Sequence, residues 1–329
     1  MSNNGPHEDA YTLYTERTFI ASNFVAAIGY GALIVLYCLC ASYLVGERKS
    51  RGRVVYLRVA YITALILLAS FITFVPIWTT GEVYINNRNY PSGPMGYLTV
   101  IEGMPISIAY YAAIFIISFL SDLLVFWRCW VIWSPIGKTV SYAVMAVPAL
   151  VLLASIALGT VWLARTSQPA FSIYSTVALV YGAAYFLTSV SVNVVVTALI
   201  IVRLLLHRRA VSHLLPPDFF KGYLSVAAIV VESALLYSIF GVAFVVTYAV
   251  NNPISQVFTS ISLVCQQIAG YLIILRVAQG RAWTSTTLAS ETVAGPITTI
   301  HFNHGDDAEL GHCLDELPRA STMRSNMDV

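Results

Sequence analysis

Five side chains that could do chemistry interrupt long apolar stretches: Asp122, Asn193, Glu232, Gln266 and Gln267. A charge at mid-membrane costs at least about 2.5–3.5 kcal/mol, so acids that persist there face a bundle interior. Depth can be counted from the ends of these stretches that carry the basic residues, at about 1.5 Å per residue. Asp122 then lies roughly 16 Å in, Glu232 and the glutamine pair about 15 Å, and Asn193 about 20 Å. Four stretches thus bring polar groups to one layer, with Ser118, Ser121, Ser189, Ser191 and Ser233 nearby. The arithmetic predicts that Asp122 and Glu232 face each other, with Asn193 and the glutamines supplying amide donors. Two carboxylates in a low dielectric do not both stay ionised unless paired. No arginine or lysine falls at this depth, so protonation or a bound cation would compensate. Three roles stay open: interhelical hydrogen bonding that fixes packing, a conformational switch, and a path for ions or protons.

Other chemistry is hard to assemble. All six histidines (His7, His207, His213, His301, His304 and His312) lie outside the apolar stretches, whereas intramembrane zinc hydrolases and di-iron oxidases need imidazoles inside them. Cys38, Cys40, Cys129 and Cys265 sit in or beside apolar stretches and Cys313 in a polar one, which offers no extracellular disulfide framework. No nucleophile, base and orienting group can be brought together within the membrane, so the expectation is a non-enzyme without cofactor or metal. The net charge of +2 is too small to indicate nucleic-acid binding.

The elements that must position the polar layer follow from composition. The 329 residues are 58% hydrophobic and 10% charged, with a mean hydropathy of +0.74, which describes an integral membrane protein. About 20 apolar residues cross the hydrocarbon as a helix. Seven stretches qualify: 22–45, 54–78, 104–133, 140–164, 174–206, 222–250 and 254–276. The uncharged run 233–275 is too long for one crossing, and Asn251-Asn252-Pro253 supplies its break. The predicted fold is an all-α seven-transmembrane helix bundle over 22–276, preceded by a 1–21 tail and followed by a disordered tail over 277–329.

Basic residues choose the orientation. Of 18 lysines and arginines, fifteen fall on the side of the connections after spans one, three and five and of the C-terminal tail, against Arg17, Arg88 and Arg165 on the other. This predicts an outer N-terminus, a cytoplasmic C-terminus and an uncleaved first span. Arg128, Arg203 and Arg276 would form a rim about two turns nearer the cytoplasm than the polar layer. Arg208 and Arg209 would extend it along a projecting fifth helix that ends near Pro216-Pro217, facing a partner or anionic headgroups. In the 79–103 loop, Glu82-Val83-Tyr84-Ile85 and the Asn/Pro/Gly-rich residues after it read as a strand and a turn, a candidate lid.

Three motifs carry a likeness. Arg128-Cys129-Trp130-Val131-Ile132-Trp133 closes span three, Glu232-Ser233-Ala234-Leu235-Leu236-Tyr237-Ser238 lies in span six, and Ile273-Ile274-Leu275-Arg276-Val277-Ala278-Gln279-Gly280-Arg281-Ala282 ends span seven. Together they resemble a large, uncharacterised group of seven-helix proteins of mushroom-forming basidiomycete fungi, over roughly residues 20–285. The resemblance implies a receptor-like fold and a fungal source, and no activity. Microbial rhodopsins are excluded, because the lysines are Lys49, Lys138 and Lys221 and none lies in the last span. The expectation is a plasma-membrane, multi-pass receptor-like protein that binds a small apolar ligand and signals to a cytoplasmic partner such as a G protein. The competing expectation is a transporter or channel for small solutes, ions or protons that uses the Asp122 and Glu232 layer.

Overall fold

The computed structural model describes residues 9–46, 53–91, 93–167, 176–211 and 217–278, and among these every regular element is helical. Eight α-helices follow in chain order: α1 Ala10–Gly46, α2 Arg53–Gly81, α3 Gly93–Glu102, α4 Pro105–Trp133, α5 Lys138–Thr166, α6 Thr176–Val211, α7 Pro217–Ala249 and α8 Ser255–Ala278. Helices satisfy their own backbone N–H and C=O groups, which is what hydrocarbon demands. Six segments are long and apolar enough to cross a membrane: Ala10–Gly46, Val55–Asn86, Pro105–Ile136, Lys138–Thr166, Leu179–Arg203 and Ser255–Arg276. The apolar part of α7 is shorter, Ala234–Ala249. The chain is therefore an all-α membrane protein.

The long helices close a ring. α1 packs on α8 and α2, α2 on α4, α4 on α5 and α6, α6 on α5 and α7, and α7 on α8, while α4 also reaches α8 across the interior. Small residues permit the closest approaches. A Cβ on Gly29 would stand 2.4 Å from Val264 of α8, and one on Gly159 would stand 2.3 Å from the Phe115 ring of α4.

Helix ends are set by local chemistry. Asp9 caps α1, its Oδ1 accepting from the Thr12 N–H at 3.1 Å and from the Thr12 hydroxyl. The helix thus begins well before residue 22, and residues 10–21, expected as tail, form its first turns. Tyr11 and Tyr14 extend from those turns toward the carbonyl of Asn251 (3.5 Å) and Oδ1 of Asn252 (3.3 Å). Pro105 opens α4, where a missing N–H costs nothing. Between α7 and α8, Asn251 takes φ +54 and Asn252 Oδ1 accepts from the Ile254 N–H at 3.1 Å, so Asn251-Asn252-Pro253 makes the expected break.

The strand expected at 82–85 is not there. Val75, Thr79 and Val83 are all buried, an i, i+4, i+8 stripe that carries helical pairing one turn beyond Gly81. Val83 is 1% exposed and Ile85 78%, so residues two apart do not share a face as they would in a strand. Glu82–Asn86 forms a single π-helical turn closed by the Asn87 N–H on the Glu82 carbonyl at 3.0 Å. Gly93, at φ +74, then starts α3, and the Ser107 hydroxyl donates to the Ile101 carbonyl at 2.7 Å, tying α3 to the first turn of α4.

The C-terminal tail beyond Ala278 and the Pro216 stop lie outside the described residues, as do the side chains of Arg208 and Arg209.

Candidate functional site

Asp122 lies on the buried stripe of α4 that also holds Ile114, Ser118, Ser121, Val125 and Cys129, spaced by three and four residues. It is 2% exposed. Its two oxygens accept from two different helices: Ser189 Oγ of α6 donates to Oδ2 at 2.6 Å, and Gln266 Nε2 of α8 donates to Oδ1 at 3.0 Å. Tyr237 of α7 stands 3.4 Å from Ser189 Oγ. Ser189 spends its proton on Asp122, so Tyr237 is the donor in that contact and the three residues form a relay, Tyr237 to Ser189 to Asp122. Both hydrogen-bond partners of the carboxyl are neutral, a hydroxyl and an amide.

Gln267, the next residue on α8, points differently. Its Nε2 donates to Ser121 Oγ at 2.8 Å, and Ser121 in turn donates to the Ile117 carbonyl at 2.9 Å. Gln267 lines a cavity of about 210 Å³ in the half of the bundle that contains α3. Along α8, Ser255, Thr259, Leu263 and Gln267 descend the cavity in steps of four, so Gln267 is its floor. One wall is aromatic. Trp162 of α5 stacks on Tyr185 with centroids 5.8 Å apart and meets Phe186 edge-on at 5.5 Å, and Phe186 meets Phe244 edge-on at 4.7 Å. The opposite wall includes Phe19 and Tyr30 of α1 and Ile72 of α2, and α3 contributes Leu98, Ile101 and Glu102. The 79–103 segment therefore does border a cavity, as a helix.

The expected polar layer divides into members and non-members. Asp122, Gln266 and Gln267 meet as described. Asn193 is buried one turn along α6 from Ser189, and its Oδ1 lies 3.5 Å from Thr197 Oγ1, within its own helix. Glu232 is exposed and does not face Asp122. Helical phase explains the correction: the inward face of α7 carries Ala234, Tyr237, Gly241, Phe244 and Tyr248, and at 100° per residue Glu232 lies about 140° from Tyr237 and on the far side from Gly241. Equal depth along two helices says nothing about direction around them. Tyr237 takes the place expected of Glu232, and the sequence signal for it was the three- and four-residue spacing from Ala234 to Tyr248. Ser191, expected near the layer, bonds its own helix at Leu187.

Two arginines of the expected rim are bound inward. Arg128 Nη2 donates to the Ile273 carbonyl of α8 at 2.9 Å, and its guanidinium lies 5.4 Å from the Trp127 ring. Arg203 Nε approaches the Ile132 carbonyl at 3.5 Å, in the last turn of α4 where carbonyls lack helical partners, and lies 6.0 Å from the Trp133 ring. Arg276 is half-buried in the last turn of α8. Two of these arginines therefore tie α4 to α8 and α6 at one end of the bundle, while the cavity opens toward the other.

Among the described residues no three His, Cys, Asp or Glu gather to hold a metal. The arrangement places a mostly apolar cavity above Gln267, with the adjacent Gln266 on a buried carboxyl held by α6 and α8. No protein-family model, no curated protein and no solved structure matches this chain.

Proposed function

We propose that the chain is a receptor-like, seven-span plasma-membrane protein with its N-terminus outside and its C-terminus in the cytoplasm. Its cavity takes a small, mostly apolar ligand, and its cytoplasmic end answers to a signalling partner such as a G protein. The observation that carries the reading is the division of two consecutive glutamines. Gln267 floors the cavity and bonds Ser121, while Gln266 bonds Asp122. Because the two residues share one stretch of helical backbone, a ligand that shifts α8 at Gln267 shifts the geometry at Gln266 too. Asp122 is in turn bonded to Ser189 of α6, and α6 is one of the helices that Arg203 ties to α4 at the far end.

The seventh crossing in this reading is α7, whose apolar part Ala234–Ala249 is completed by residues on its N-terminal side. The fifteen-to-three distribution of basic residues supports the orientation. A transporter or channel built on an Asp122 and Glu232 pair loses its premise, because Glu232 is exposed.

The test is affinity capture of the tagged protein from its native membrane with and without a non-hydrolysable GTP analogue. Recovery of a Gα subunit that the nucleotide releases supports the receptor reading. Instead, pH- or ion-driven uptake by proteoliposomes containing the purified protein would replace it with transport.

A further inference from the structure

The cavity floor constrains the ligand's chemistry. Gln267 is 2% exposed, and its amide orientation is dictated by its neighbour. Ser121 commits its only proton to the Ile117 carbonyl, so Ser121 Oγ can only accept, and Gln267 must present its NH₂ there. Gln267 Oε1 is left buried without a partner in the protein, so a donor from the cavity reaches it with a small shift of the side chain. A buried carbonyl lacking a donor is the costly side of hydrogen-bond energetics, and a ligand that supplies the donor gains what the free protein forgoes.

Six hydroxyls of the lining are already engaged, and the Trp162 Nε1–H, buried without a partner, lies beside Gly182 of α6. Ser22, Thr73, Thr79, Ser107, Thr259 and Ser260 each direct a hydroxyl proton to a backbone carbonyl. Among the described residues, no lysine, arginine or histidine lines the cavity, and its one ionisable carboxyl is Glu102 of α3, at the lid rather than the floor. An anionic headgroup would find no countercharge there. An ammonium at the floor would give up its hydration shell for one neutral carbonyl, because Asp122 does not line the cavity.

We infer that the cavity selects a neutral alcohol: an apolar body whose hydroxyl donates to Gln267 Oε1. This deepens the proposed ligand-binding reading and rests on it.

The test uses the full chain in lipid nanodiscs and brominated probes, whose bromine quenches tryptophan at short range. Trp162 lines the cavity, so its share of quenching is isolated by comparison with Trp162→Phe. The probes are 10-bromo-1-decanol, 1-bromodecane, 10-bromodecanoate and 10-bromodecylamine, each compared at equal mole fraction in the bilayer. The alcohol is expected to bind on the order of tenfold more tightly than the bromoalkane, one neutral hydrogen bond. Gln267→Leu should bring the two to parity while keeping alkane binding, and Gln267→Glu, which retains an acceptor carbonyl when neutral, should keep the preference. Equal binding of alcohol and alkane by the native chain, or tighter binding of the acid or amine, overturns the inference and leaves the cavity a ligand site. No quenching of Trp162 by any probe overturns both the inference and the ligand-binding reading. If Gln267→Leu does not fold, the native-chain ranking and Gln267→Glu still decide.

Discussion

Gln266 of α8 and Asp122 of α4 are joined by one hydrogen bond of 3.0 Å, a polar link, with Gln267–Ser121 and Arg128–Ile273, between the helix that floors the cavity and the helix that runs through the middle of the bundle. The carboxyl can accept at both oxygens and does so, from Gln266 and from Ser189. Asp122→Asn keeps one acceptor for Gln266 and offers an NH₂ to Ser189, which can then donate to Tyr237 instead. Asp122→Ala leaves Gln266 Nε2 buried without a partner, reduces Ser189 Oγ to its contact with Tyr237, and opens a void. We expect the first to change stability by less than about 1 kcal/mol and the second to cost about 3–5 kcal/mol, read as detergent-phase unfolding of the purified protein.

Glu232 should behave in the opposite way. Because it lies on the exposed side of α7, away from Asp122, neither Glu232→Gln nor Glu232→Ala should destabilise the chain, and the two should stay within about 0.5 kcal/mol of each other. Had it paired with Asp122, alanine would be far worse than glutamine. A large gap between the two variants in the same unfolding assay would restore the paired-acid arrangement.

The contrast between these two acids marks how far the sequence could be read. Apolar length located the helices, because a membrane helix needs about 20 such residues and little else does. Depth could be counted too, since rise per residue is fixed, and it brought Asp122 and both glutamines to one level correctly. Direction around the axis is legible as well, in the Ala234, Tyr237, Gly241, Phe244 and Tyr248 spacing, which selects Tyr237 over Glu232 as the inward polar group. The segment at 82–86 was misread because valine, tyrosine and isoleucine favour strands in isolation, whereas burial of Val83 beneath Thr79 continues a helix. The cavity had no sequence signature. It arises where Phe19, Ile101, Trp162 and Phe244, from four helices far apart in the chain, fail to meet.

Glycines separate close packing from open surface. A Cβ on Gly159 would overlap the Phe115 ring at 2.3 Å and approach Tyr185 at 2.9 Å, while one on Gly31 would meet nothing within 4 Å. Gly159→Ala should cost about 1–3 kcal/mol, because the aromatic cluster around Trp162 must shift. Gly31→Ala should be neutral or should stabilise by up to about 1 kcal/mol through helix propensity. Unfolding of both variants in the same detergent checks the pair, and the Gly159 variant should also lose Trp162-dependent quenching by cavity probes.

The cap of α1 makes a pH prediction outside the membrane. The hydroxyl and N–H of Thr12 hold the Asp9 carboxyl below its ordinary value of 3.8. A depressed folded-state pKa contributes stability that is fully present above the unfolded value and is lost as pH falls through the folded one. Hydrogen exchange at the first turns of α1 should therefore be constant from pH 7 to about pH 5, after correction for intrinsic rates, and show fraying as pH drops below about 4. Asp9→Ala should show that fraying at every pH, and Asp9→Asn, a good cap without a titrating group, at none.

Topology is the broadest expectation, and it can be checked without any ligand. Fifteen basic residues on one side against three on the other predict that residue 5 is outside the cell and residue 320 inside. An epitope inserted at residue 5 should bind antibody on intact cells, and one at residue 320 should bind only after permeabilisation. The bias can also be tested causally. Reversing the charges of Arg48, Lys49, Arg51 and Arg53 removes four of the fifteen and adds acids that weigh little in insertion, so the first connection should lose its hold on the cytoplasmic side in a fraction of molecules. Those molecules would expose residue 320 on intact cells. If both epitopes instead fall on one side of the native chain, α7 does not cross, the number of spans is even, and the receptor-like arrangement must be given up. The cavity and its Gln267 floor would then belong to a six-span protein.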